Sequence, residues 1–393
     1  MPKCLILDHH IALTTNHTYR PCCKFPSDFL GYKYDEISLK DLKTTDKWND
    51  IINTMHVKDK WHKGCIDCEK EENFGSISTR EEFNEIISNM NIKSKNSLKS
   101  IEFNFSNQCN GGCIMCTPVF SSTWENIIEQ QNMDAPQFNI PINQLPTKSK
   151  FNIKKFLENV DLTELEYIKY LGGEPFLMPE TDELLDYLTL SNISKNVTLQ
   201  ITTNGSIFRE KHIKQLLQFK KVFFTISVDD VNERYDYIRW PLKWSVLDKN
   251  IKKFLHYFDG VKNVKMLIST CLMIPSIYYL IELFECLKKY KYKDKSLLPG
   301  QLIPVLNPWY LCVTNLPDEE KSLLIQQFEY YVKSNKNDLT IQTCFNNLIY
   351  TLKSDQKIRP SKDLYYKLNE NISSWDNYRG NFAKTFERVN LYG

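Results

Sequence analysis

The chain has 393 residues, with 50 Lys and Arg against 48 Asp and Glu and a formal net charge of +2. That balance leaves no basic field for nucleic acid or an anionic membrane surface, and the length suits a barrel-sized domain with smaller attachments. At 42% apolar residues the chain can bury a large core, yet no run approaches the roughly 20 apolar residues of a membrane span.

The opening "MPKCLILDHHIALTTNH" has one lysine and a short apolar run broken by Asp8, His9 and His10. It does not read as a signal peptide, and a cytoplasmic location is expected. Twelve cysteines in a reducing compartment indicate metal or redox work rather than disulfides. Cys4, Cys22, Cys23, Cys65 and Cys68 fall in the first 70 residues, and Cys109, Cys113 and Cys116 form a second group. His9, His10, His17, His56 and His62 share no metal-ligand spacing and read as surface residues.

From residue 98 strands and helices alternate. "KSIEFNF" (99–105) alternates apolar and polar residues as a strand does, and it runs into the cysteine loop. "STWENIIEQ" (122–130) reads as a helix capped by Ser121 or Ser122, and 134–150 as a loop insertion. Further strands are expected at 166–171, 197–203, 221–228, 263–273 and 300–306. Helices are expected at 180–190, 210–219, 244–258, 276–290 and 316–334. Six strands with helical crossovers predict an α/β fold with a parallel sheet. Cysteines, "GGEP", "TNGS" and "SVDD" all follow strand ends, where parallel barrels place their active sites.

Cys109, Cys113 and Cys116 have the spacing C-x3-C-x2-C. Three thiols fit a structural zinc site with a distant fourth ligand, or a cubane iron–sulfur cluster with one iron left open. Taken singly, the later motifs are also compatible with ordinary turns, a helix cap at Asp229 and a surface ion pair at Arg239.

Together and in this order, the motifs resemble the radical S-adenosylmethionine (SAM) superfamily over about residues 98 to 310. The resemblance implies a partial (β/α)6 TIM-like barrel, with a [4Fe–4S] cluster on Cys109, Cys113 and Cys116 and SAM on its open iron. It places Gly172, Gly173 and Glu174 of "LGGEPFL" at the SAM amino group, and Thr203 and Asn204 of "TTNGS" near the ribose and methionine. Ser227 and Asp229 are ribose or substrate contacts, and Arg239 takes the methionine carboxylate through its forked donors. Met115 stands where the family usually has an aromatic residue, with its backbone near adenine. An electron donor such as flavodoxin or ferredoxin would feed the cluster. The cleaved SAM would yield a 5′-deoxyadenosyl radical that removes a hydrogen atom from a peptide or small molecule. No nucleic acid and no membrane is expected as a partner.

The first ninety residues fit a zinc knuckle. They also resemble the twitch and SPASM auxiliary-cluster domains, which implies a second [4Fe–4S] cluster on Cys4, Cys22, Cys65 and Cys68, with Cys23 as the alternative to Cys22. The expected organisation is thus a cysteine-rich iron–sulfur domain (1–90), the radical SAM barrel (98–310) and a mainly helical extension (311–393). Cys271 and Cys286 read as core residues. Cys312, just past the last strand, is a candidate hydrogen donor that would make the enzyme an epimerase. Oxidative chemistry, with the auxiliary cluster as electron sink, is the main expectation. The alternatives are epimerisation and a non-catalytic zinc or iron–sulfur protein.

Overall fold

Residues 3–26, 29–73, 77–94, 97–131, 146, 150–354 and 362–389 are described by a computed structural model. Its strands are β1 (His10–Leu13), β2 (Tyr19–Arg20), β3 (Ser100–Phe103), β4 (Tyr167–Tyr170), β5 (Thr198–Thr203), β6 (Lys221–Ser227), β7 (Val264–Leu272), β8 (Lys291–Tyr292), β9 (Lys295–Ser296) and β10 (Pro299–Pro304). Eight of them form one sheet in the order β10-β7-β6-β5-β4-β3-β1-β2, and β8 pairs with β9 as a small hairpin. Within the large sheet every pairing is parallel except that of β1 with β2. The six expected strands are β3 to β7 and β10, each beside its predecessor in the sheet. The loop insertion expected at 134–150 lies outside the described residues, apart from Pro146 and Lys150.

Strand periodicity sets which face is covered. In β7 the residues Val264, Met266, Ile268, Thr270 and Leu272 are buried, while Lys265, Leu267, Ser269 and Cys271 are more open. Helix Trp244–Phe258 lays a stripe of Leu247, Ile251, Phe254 and Phe258 against the covered face. Phe224 of β6 meets it with ring centroids 4.8 Å from Phe254 and 5.2 Å from Phe258. Each such ring, taken out of water, contributes about 2 to 3 kcal/mol.

The amino-terminal segment extends this same sheet. β1 runs parallel to β3, with His10 opposite Ser100 and Ala12 opposite Glu102. Packing here overturns the reading of the histidines as surface residues, since His9, His10, His17 and His62 are all buried. Each has a partner, as a buried imidazole requires: His9 Nδ1 lies 3.0 Å from the Ser97 carbonyl, His10 Nδ1 2.6 Å from Ser100 Oγ, and His17 Nε2 3.0 Å from the Phe105 carbonyl. His62 Nδ1 accepts from Gly64 N at 3.0 Å. A buried charge network adds to the join. Glu102 lies 3.4 Å from His10 Nε2 and 3.6 Å from Lys169 Nζ, and it accepts the Cys23 amide at 3.0 Å. Against the burial that would raise it, His10, Lys169 and the Cys23 side chain hold the Glu102 carboxyl well below its usual range.

Beyond β10 the chain is mainly helical, in Asp318–Ser334, Leu339–Lys353 and Lys362–Arg379. The last of these returns to the barrel: Asn371 accepts from the Tyr310 hydroxyl at 3.1 Å, and Asp376 accepts from Tyr237 at 2.6 Å. Among the described residues no helix is long and apolar enough to cross a membrane.

Candidate functional site

The cysteine loop is fastened at both of its edges. On one edge, the first turn of helix Ser122–Gln131 grips it. Ser121 caps that helix by accepting from Trp124 N at 3.2 Å, and its hydroxyl donates to the Gly111 carbonyl at 2.7 Å. Ser122 Oγ accepts from Cys109 N at 3.1 Å, Thr123 Oγ1 donates to the Cys109 carbonyl at 2.8 Å, and Trp124 Nε1 donates to the Cys113 carbonyl at 2.8 Å. On the other edge, Gly112 N and Ile114 N donate to the carbonyls of Trp240 and Ile238, at 2.6 and 3.0 Å. That ladder places Arg239 directly beside the cysteines.

Gly111 sits between two of the thiols. Its amide lies 3.4 Å from Cys109 Sγ, and a methyl group there would stand 3.5 Å from Cys113 Sγ. A turn with Cys116 N donating to Cys113 O at 2.9 Å brings in the third. Burial pushes the Cys109 thiol up to about 12, with Cys113 as the next influence. The Cys113 and Cys116 thiols are also pushed up by burial, and Cys116 feels both of its partners. Three close thiols that resist ionisation are stable as thiolates only beside strong positive charge, such as metal ions supply.

The "GGEP" turn after β4 packs under this loop. Gly172 and Gly173 have φ of +70° and +41°, in the region that favours glycine. A Cβ on Gly172 would lie 1.9 Å from Asn104 Oδ1, and one on Gly173 2.6 Å from the Gln108 carbonyl. Glu174 is 1% exposed and its carboxylate is engaged. Oε1 accepts from Thr203 Oγ1 at 2.7 Å and Phe176 N at 3.3 Å, and Oε2 accepts from Asn204 N at 2.7 Å. Burial raises its carboxyl above the usual range, against those three bonds. Glu174 thus ties the end of β4 to the end of β5. Asn204 continues the tie, donating to Asn110 Oδ1 at 2.9 Å, and Asn110 donates to Ser206 Oγ at 3.0 Å.

At the end of β6, Asp229 is fully buried, with both oxygens used. Oδ2 takes Arg239 Nε and Nη2, each at 2.7 Å, and Oδ1 accepts from Cys271 N at 2.8 Å. Two of the five guanidinium N–H groups are engaged in this way. Cys113 lies close enough to Arg239 for each to shift the other. Ser227 closes β6 opposite Ser269 and is half-buried, as is Met115 in the cysteine loop. Cysteine loop, glycine turn, "TTNGS" and the Asp229–Arg239 pair thus meet at one end of the sheet.

Residues 103–277 match the radical SAM superfamily. The similarity lies in this segment. Among solved structures, the fold is similar to anSMEcpe with bound AdoMet, with 19% identity over 61% of this chain and 62% of that one and a TM-score of 0.41. It is also similar to Streptococcus suis SuiB bound to precursor peptide SuiA, with 13% identity over 72% of this chain and 64% of that one and a TM-score of 0.35. This chain therefore covers less than two thirds of either protein. No curated protein matches the sequence.

For the cofactors of a radical SAM domain, the donor chemistry fits. Three soft thiols stand together, and the nearby carboxylates of Glu174 and Asp229 are committed elsewhere. Among the described residues no three His, Cys, Asp or Glu side chains close around a single ion. A cubane makes a different demand, since each thiolate binds its own iron. Gly172 and Gly173 let the turn pack directly against Asn104 and the Gln108 carbonyl, beneath the cysteine loop.

A second group of thiols lies in the amino-terminal segment. Cys4, Cys22, Cys65 and Cys68 line one cavity, with Trp61, Met55 and Arg80 among its other walls. Burial is the main cause that pushes the Cys4 and Cys65 thiols up to about 12, with Cys65 and Cys68 adding to Cys4 and Cys68 adding to Cys65. Cys23 is not among the lining residues; its amide faces Glu102 on β3. The adjacent thiols of Cys22 and Cys23 thus serve different surroundings. Cys312 is 0% exposed, and its sulfur lies 3.2 Å from Thr314 Oγ1, so it faces no accessible space.

Sequence reasoning did not single out Asn104, Asn110, Thr123, Trp124 or Arg379, and it named Ser122 only as a candidate helix cap. For three of these a signal existed, because "STW" follows the loop where a helix start presents its capping groups.

Proposed function

We propose that this protein is a radical SAM enzyme in which Cys109, Cys113 and Cys116 hold a [4Fe–4S] cluster whose fourth iron receives SAM. The observation that carries the reading is the set of three close thiols at the strand ends, with the nearby Glu174 and Asp229 carboxylates bonded to other partners. Once bound, these groups supply one-electron cleavage of SAM and a deoxyadenosyl radical able to take a hydrogen atom from an inert C–H bond.

The chain's own part is binding and orientation. Arg239 keeps N–H donors beyond those used by Asp229 and suits the methionine carboxylate. The backbone at Gly172 and Gly173 permits close approach of the amino group. Glu174, already holding Thr203 and Asn204, has lone pairs remaining for an ammonium. Ser227 and Asp229 border the ribose or substrate, and Met115 packs toward adenine.

Residues 1–90 are proposed as an auxiliary unit holding a second [4Fe–4S] cluster on Cys4, Cys22, Cys65 and Cys68, a choice supported by their shared cavity. Residues 98–310 form the barrel and 311–393 its helical extension. A second cluster favours oxidative modification of a peptide or small molecule in the cytoplasm, fed by a flavodoxin or ferredoxin. The test is iron and sulfide analysis of anaerobically prepared protein. About eight irons per chain are expected for two cubanes, falling to about four in Cys113→Ala and again in Cys65→Ala. Two zincs and no iron would overturn the proposal.

A further inference from the structure

The helix Lys362–Arg379 delivers one side chain into the site from far along the chain. Arg379 is 267 positions from Gly112, yet its Nη2 donates to the Gly112 carbonyl, inside the cysteine loop. Its Nη1 donates at 3.0 Å to the carbonyl of Tyr237, in the segment that carries Arg239. One guanidinium fork therefore bridges the two strips already joined by the Gly112–Trp240 and Ile114–Ile238 bonds. Around it stand Trp124, Trp240, Trp375 and Tyr378, with ring centroids 5.2, 5.9, 6.0 and 4.9 Å from the guanidinium carbon.

A buried guanidinium needs compensation, because removing a charge from water costs several kcal/mol. Two carbonyls and four ring faces provide part of it. The remaining Nε–H has no acceptor among the described residues. The strongest influences that favour its charge are Tyr378, Cys113 and Tyr237, none of them a carboxylate. The cation is thus buried beside the Cys113 thiol, with no ion pair to a carboxylate among the described residues.

We propose that Arg379 is a positioning residue of the cluster site, clamping the cysteine loop to the Arg239 segment and placing a fixed positive charge against the anionic thiolates. The inference rests on the cluster reading for its charge part, and on the structure alone for its clamp. The extension beyond residue 311 is then a working part of the site, since its helix adds a tie across both strips of the loop.

Two full-length variants separate the parts. Arg379→Met removes fork and charge, and Arg379→Lys keeps the charge but cannot span both carbonyls. In metal-free protein, hydrogen exchange of amides 111–116 and 238–240 is expected to rise about tenfold in both variants, converted from roughly 1.4 kcal/mol of lost local stability. Amides of β5 to β7 stay as in the parent. Exchange within twofold of the parent in both strips overturns the clamp. In reconstituted protein, the midpoint potential of the cluster moves negative in Arg379→Met and stays near the parent in Arg379→Lys. An unchanged potential in the Met variant overturns the charge part. Parent protein that takes up no iron sinks the cluster reading and the charge part together, while the exchange result still decides the clamp. Should the Met variant fail to fold, the Lys variant carries the exchange test.

Discussion

Substituting Gly172 with alanine probes the contact on which the site's geometry turns. The new methyl group would meet Asn104 Oδ1 at 1.9 Å, Cγ at 2.7 Å and Nδ2 at 3.1 Å. All three atoms belong to one buried side chain. Two costs follow: an L-residue held at φ +70° costs about 1 to 2 kcal/mol, and overpacking a filled site adds about 1 to 3. The sum, about 2 to 5 kcal/mol, is a large part of a typical stability of about 5 to 15. Asn104→Ala removes every clashing atom and leaves only the backbone part. The two substitutions should therefore be non-additive by about 1 to 3 kcal/mol, with Gly172→Ala milder in the Asn104→Ala background. Urea denaturation of the parent, both single variants and the double variant measures this, provided the slope stays constant. SAM affinity in Gly172→Ala should fall at least about tenfold, since Gly173 rests on the Gln108 carbonyl next to Cys109. Costs that add to within about 0.5 kcal/mol would refute the reasoning.

Glu174→Ala leaves the Asn204 amide and Thr203 hydroxyl unpaired and should lose about 2 to 4 kcal/mol in the same assay. Glu174→Gln should stay within about 1 kcal/mol of the parent yet bind SAM at least about tenfold more weakly; equal affinity would leave the carboxylate with a positional role only. Asp230 offers a test of pH dependence. Burial outweighs its bond from Arg234 and raises its carboxyl to about 7, above the ordinary 3.8. With a raised folded-state value, its contribution is complete below about pH 4 and is lost as pH rises through about 7. Between pH 5 and 8 the parent should lose roughly 2 to 3 kcal/mol more stability than Asp230→Asn. Equal losses in denaturation at the two pH values would remove that account.

The sequence exposed most of the parallel sheet because its strands are regular. β5 ends at Thr203 as "VTLQITT" indicates, and β6 and β7 fall within the expected spans, since each is a long apolar run bounded by turn residues. The placement of β1 beside β3 was hidden. "HIAL" has only four residues, and its buried His10 reads as polar until Ser100 and Glu102 are seen opposite it. Motif spacing named the cysteines, but which of Cys22 and Cys23 faces the cavity depends on how the chain bends near Glu102. Glu174 was legible as a residue but not in its bonding, because Thr203 is 29 positions away. Arg379 gave no local sign at all: a basic residue at a helix end is common, and only tertiary packing carries it to Gly112.

The most direct test of the central claim is the EPR spectrum of anaerobic, reduced protein before and after SAM is added. An open iron that takes the amino and carboxylate groups of SAM changes its ligand field, so the spectrum should shift in the parent and in Cys65→Ala, and the signal should be absent in Cys113→Ala apart from any auxiliary cluster. A reduced cluster whose spectrum is the same with and without SAM would contradict the account.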